Sequence, residues 1–67
     1  MDIKEYERLC ATFFKTFASV PSPLRGEIIV VVDGEPYTWS SAFLEIKAKT
    51  EKSKKILEQL KTLEIIS

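Results

Sequence analysis

Sixty-seven residues make one small domain, about half the usual domain length. Ten basic and ten acidic side chains cancel, and the chain has no histidine, which excludes histidine triads and histidine metal ligands. A hydrophobic content of 45 % is that of a folded globule, and the longest apolar run, Ile28–Val32, is far short of the roughly 18 residues a membrane span needs.

The chain opens with a helix signal. Asp2 is a good N-cap, with Glu5 three positions later as its box partner. Ile3, Tyr6, Leu9, Cys10, Phe13, Phe14, Phe17 and Val20 then recur at intervals of three and four, the stripe of a core-facing helix. Pro21 ends that helix near Ser19 or Val20, because proline disfavours helical geometry in its predecessor. Pro21-Ser22-Pro23 follows as a short stiff connector.

Residues 27–32 form a β-branched run, and 35–39 a second strand-like run, with Asp33-Gly34 between them. That spacing predicts a two-residue type I′ hairpin. The register pairs Val32 with Glu35, Val31 with Pro36, Val30 with Tyr37, Ile29 with Thr38 and Ile28 with Trp39. Pro36 falls in a non-hydrogen-bonded pair, where its missing N–H points outward.

Ser40 and Ser41 are candidate caps of a C-terminal helix over 41–65. Its apolar stripe runs in register through 39, 42, 43, 46, 50, 53, 57 and 60, although 50 and 53 are Thr and Ser. Unbroken, such a helix is about 37 Å long at 1.5 Å per residue, against a radius of gyration of about 11 Å for a compact chain of this size. A break near Thr50, with Thr50 as a new N-cap and Glu51 in the first turn, fits better. The fold class is therefore α+β: an N-terminal helix, a two-stranded antiparallel hairpin (27–32, 35–39), and a C-terminal helix over 41–65, either broken near Thr50 or continuous with its overhang used by a partner. Phe13, Phe17, Val30, Trp39, Phe43, Leu57 and Leu60 are the expected core.

The apolar run Ile28–Val32 is the most informative feature, because a strand with one wet face alternates instead. Two arrangements cover it. One helix can lie on each face of the hairpin, or the outer edge of the strand can pair with its copy in a four-stranded antiparallel sheet. The candidate dimer edge is Ile28, Ile29, Val30, Val31 and Val32. Pro36 protects the opposite edge of the hairpin, and nothing protects this one.

Charge is uneven. Residues 1–46 carry a net −3 and residues 47–67 a net +3. Lys47, Lys49, Lys52, Lys54 and Lys55 lie within nine residues, a candidate contact for nucleic-acid phosphates. No aromatic residue interleaves with them, so a stacking platform for single strands is unsupported. The stretch from Lys49 to Ile66 also resembles the recognition helix of winged-helix regulators in its Thr50 start, Ile56-Leu57 pair, Leu60 and terminal Ile65-Ile66. Glu64 stands where that family usually has a glycine. The likeness covers eighteen residues and implies a DNA-contacting helix, but does not itself place the chain in the family.

Catalytic chemistry is sparse. Cys10 is alone and lies on the apolar stripe, so it reads as a small buried hydrophobe without a base to activate it. Asp33 and Glu35 flank an exposed turn, where the shifted pKa of an acid–base pair does not arise. Neither metal-ligand spacing nor a glycine-rich phosphate loop is present, and no cofactor is expected. The first residues lack an apolar leader segment, so the expected location is cytoplasmic and no membrane partner is expected. The absence of asparagine, the single Gln59, and eight each of lysine and glutamate form a pattern common in proteins from hot environments. The leading expectation is a non-enzymatic association module that forms a homodimer. The alternative is a small DNA-binding protein using the five lysines.

Overall fold

The structure, a computed structural model, describes residues 1–66. Helix α1 (Ile3–Ala18) starts where Asp2 accepts the Glu5 backbone N–H at 2.8 Å, and ends at Ser19, ahead of Pro21. A 3-10 turn over Ser22–Leu24 carries the chain to strand β1 (Ile28–Val32), which pairs antiparallel with β2 (Glu35–Thr38). Helices α2 (Trp39–Ala48) and α3 (Glu51–Thr62) complete the α+β fold. The break near Thr50 is present.

At the hairpin turn, Asp33 has φ 52° and Gly34 φ 77°, the paired positive values of a type I′ turn. A Cβ added at Gly34 meets nothing within 4 Å, so backbone geometry alone penalises it. Gly34→Val is expected to cost about 1–2 kcal/mol, the usual cost of left-handed backbone with a side chain. A thermal melt reads the loss; an unchanged midpoint would mean the turn is not the one described.

The register holds for Val32 with Glu35, Val31 with Pro36 and Val30 with Tyr37, then slips. Ile28, expected opposite Trp39, lies opposite Thr38, and Ile29 bulges between the two pairs. The cause lies in the next element. Trp39 is already the first residue of α2, so it has left the strand. Thr38, rather than Ser40 or Ser41, is the N-cap: its side chain accepts the Ser41 N–H at 3.0 Å, while Ser41 Oγ accepts the Thr38 N–H at 2.8 Å. This reciprocal box closes the strand one residue early, and the bulge absorbs the difference. It also turns Ile28 out to 63 % exposure and lets Ile29 pack partly against the core.

The core gathers Leu9, Phe13, Ile46, Ile56, Leu57 and Leu60, all essentially inaccessible, with Val30, Val32 and Tyr37 from the inner sheet face. Phe17, Trp39 and Phe43, expected in the core, are only partly buried. They join Phe13 and Phe14 in a cluster of rings between α1 and α2, with Phe17 stacked on Phe43 at 4.5 Å and Phe13 5.9 Å from Trp39. A domain this small cannot enclose five aromatic rings.

The expectation of one helix on each sheet face is not met. α3 lies against β1 and α2 against β2, while α1 packs on both helices. The terminal apolar pair Ile65-Ile66 packs back onto the fold, Ile66 fully and Ile65 in part. Glu64 is left-handed at φ 59°, and the N–H groups of Glu64 and Ile65 return to the carbonyls of Lys61 and Leu60, a Schellman closure that buries Ile66.

Candidate functional site

The outer face of the hairpin carries the most concentrated accessible apolar surface of the sheet. Strand alternation sends Val30, Val32 and Tyr37 inward, so Val31 and Pro36 stand opposite one another on the outer face. Val31 is 55 % exposed, Pro36 is exposed, and the bulge adds Ile28 beside them. Of the five residues expected at a dimer edge, Ile28 and Val31 are thus presented to solvent, Ile29 is half-buried, and Val30 and Val32 belong to the core. The backbone of Val31 follows from the same register. Val32 and Glu35 form the hydrogen-bonded pair next to the turn, so the N–H and C=O of Val31 point away from β2. The bulge at Ile29 interrupts that free edge one residue further along.

The five lysines do not share one open face. Lys52 and Lys55 both reach Asp33 Oδ2 at 3.0 Å, strapping the hairpin tip to α3. These donors hold the Asp33 carboxyl below its usual range, and the carboxylate in turn raises Lys52. Lys54 lies over the Tyr6 ring at 6.0 Å and Lys47 over the Phe43 ring at 5.8 Å. Lys49 is the left-handed residue that ends α2. Lys61, outside the five, pairs with Glu5 at 3.0 Å. The sequence showed the lysines but not that Lys52 and Lys55 meet Asp33, nineteen and twenty-two residues away in the chain.

Inside the fold lies a polar contact that the sequence did not announce. Tyr6 Oη and Ser53 Oγ meet at 2.7 Å in buried surroundings. Because Ser53 donates its own hydroxyl proton to the Thr50 carbonyl, Tyr6 is the donor of that pair. Burial raises the Tyr6 phenol above its ordinary value. Cys10 is buried beside it on α1.

Two surface depressions of about 290 and 390 Å³ flank α3. Asp33, Lys55, Glu58 and Gln59 line the first, and Glu5, Glu58 and Lys61 the second. A carboxyl held ionised, as Asp33 is, has the opposite bias from the raised pKa a general acid needs. Among the described residues no group of three histidine, cysteine, aspartate or glutamate side chains stands close enough to hold a metal ion. No helix among them is long and apolar enough to cross a membrane. No protein-family model, no curated protein and no solved structure matches the chain.

Proposed function

We propose that this chain is a non-enzymatic association module, and that its partner is a second copy bound through the outer face of the hairpin. The observation that carries the reading is the row of Ile28, Val31 and Pro36, exposed on a sheet face that neither α2 nor α3 covers. A net charge of zero leaves no long-range repulsion between copies. The outward N–H and C=O of Val31 border the patch along the free edge of β1, and a two-fold axis through the patch closes the assembly at two.

The association joins monomers that are already folded. The accessible surface of 4386 Å² is ordinary for a folded monomer of this mass, for which about 4,300 Å² is expected. The radius of gyration, 10.8 Å, is likewise that of a compact single chain. The DNA-contact reading has less support, since Lys52 and Lys55 are already engaged by Asp33.

Sedimentation over a concentration series tests the proposal. The chain is expected to approach twice its 7.7 kDa mass as concentration rises. Val31→Lys is expected to remain at 7.7 kDa with little change in melting temperature, because Val31 is largely solvated in the monomer. A parent chain that stays monomeric throughout, or a Val31→Lys variant that still pairs without having been unfolded and refolded, overturns it.

A further inference from the structure

The two residues joining α2 to α3 hold a bend that no glycine or proline enforces. Between Trp39 and Thr62 there is neither glycine nor proline, and the inward-facing positions 46, 50, 53, 57 and 60 keep helical spacing through the break, with Thr and Ser at 50 and 53. Lys49 nevertheless sits at φ 55°, ψ 44°, a left-handed conformation that a residue with a Cβ adopts only with strain. Hydrogen bonds on both residues hold it there. Lys49 N–H reaches the Ile46 carbonyl at 3.1 Å, Thr50 N–H the Glu45 carbonyl at 3.2 Å, and Thr50 Oγ1 donates to Glu45 Oε1 at 2.6 Å. Lys49 N–H already shares the Glu45 carbonyl four residues back, and in a straight helix Thr50 N–H would move to the Ile46 carbonyl, so straightening leaves neither unpaired.

We infer that Lys49–Thr50 is an exchange hinge through which two copies of this chain swap α3. Straightened, α2 and α3 become one helix from Trp39 to Thr62, about 36 Å long at 1.5 Å per residue. That exceeds the longest extent of the monomer, 33 Å, so α3 leaves its own core. The seat that fits it is the one an identical chain has vacated. There Ile56, Leu57 and Leu60 regain the same core, Ser53 meets the Tyr6 hydroxyl, and Asp33 receives Lys52 and Lys55. Closed and exchanged forms then share their packing and differ at the hinge, which is the condition for domain swapping. Short hinges under strain favour it.

The inference stands apart from association through the hairpin face, and the Val31→Lys background separates the two. In that background the chain is unfolded, then refolded at high and at low protein concentration. Concentrated refolding is expected to yield a species of twice 7.7 kDa, and dilute refolding the monomer. Lys49→Ala combined with Thr50→Ala, which removes the cap and favours continued helix, is expected to raise the dimer share. Lys49→Gly relaxes the bent form and is expected to lower the dimer constant about tenfold or more. Mass-tagged and untagged dimers are expected to stay unmixed until unfolded together, because exchange requires withdrawing α3 from the core. Monomer alone after concentrated refolding of the Val31→Lys chain overturns the hinge, whatever the double variant does. So does a Lys49→Gly variant that dimerises as readily, or dimers that remix without unfolding.

Discussion

Replacing Phe13 with alanine is expected to leave most of the chain unfolded. Phe13 is wholly inaccessible, at the middle of α1, and its ring lies 6.1 Å from Phe14, 6.2 Å from Phe17 and 5.9 Å from Trp39. Removing a buried phenyl group costs about 3–5 kcal/mol in lost transfer energy and residual cavity. A domain of this length has on the order of 3–10 kcal/mol in total. The surrounding rings cannot close the gap, because Phe14, Phe17 and Trp39 sit on two different helices, Phe14 and Phe17 are held against Phe43, and all three are partly exposed. Trp39→Ala is expected to cost less, since Trp39 is partly exposed before the change. Far-ultraviolet circular dichroism with amide NMR dispersion measures both. Native-like dispersion in Phe13→Ala would remove Phe13 from the centre of the core.

Local signals in the sequence were read correctly where the structure is made locally. Asp2 marks the start of α1, and Asp33-Gly34 marks the turn, because each works through hydrogen bonds or dihedrals within four residues; the expected box partner Glu5 instead turns its carboxylate to Lys61. Thr50 was legible as the start of a helix for the same reason. The end of α2 followed from that start alone, because a lysine occupies the left-handed position where glycine would have been the direct sign. Ser40 and Ser41 looked as suitable for capping as Thr38, and only the competition between strand and helix for Trp39 decides among them. That decision creates the bulge, so the outward turn of Ile28 was beyond reach of an alternation argument.

The candidate surface was half legible. An unbroken apolar run announces that both faces of β1 are apolar, and Val31 does stand on a wet face. Which face the helices take depends on contacts between α3 and β1 that no periodicity encodes. The lysines illustrate the same limit. Their clustering is a property of the chain, whereas their engagement by Asp33 is a property of where the hairpin tip comes to rest.

Ser53→Ala is expected to cost about 1–3 kcal/mol, the loss when a buried donor is left without its acceptor. The stranded donor is the Tyr6 hydroxyl, which points to Ser53 Oγ from a side chain only 7 % exposed. Tyr6→Phe alone is expected to cost less, because Ser53 keeps its bond to the Thr50 carbonyl. Combining the two changes removes donor and acceptor together, so the double variant is expected to be more stable than the sum of the single losses implies, by about 1 kcal/mol. Alkaline titration supplies an independent reading of the same group. Burial raises the Tyr6 phenol above its ordinary value of 10.0, so the folded chain keeps a proton that the unfolded chain releases. The stabilisation is complete below the unfolded value and is lost as pH climbs from there through the folded one. Tyr37, also raised by burial, contributes to the same decline. Tyr6→Phe is therefore expected to flatten part of the alkaline limb and to leave the part due to Tyr37. Denaturant melts of the four proteins between neutral and strongly alkaline pH measure both effects. Strict additivity, with an alkaline limb unchanged by Tyr6→Phe, would show that the hydroxyl of Tyr6 is solvated.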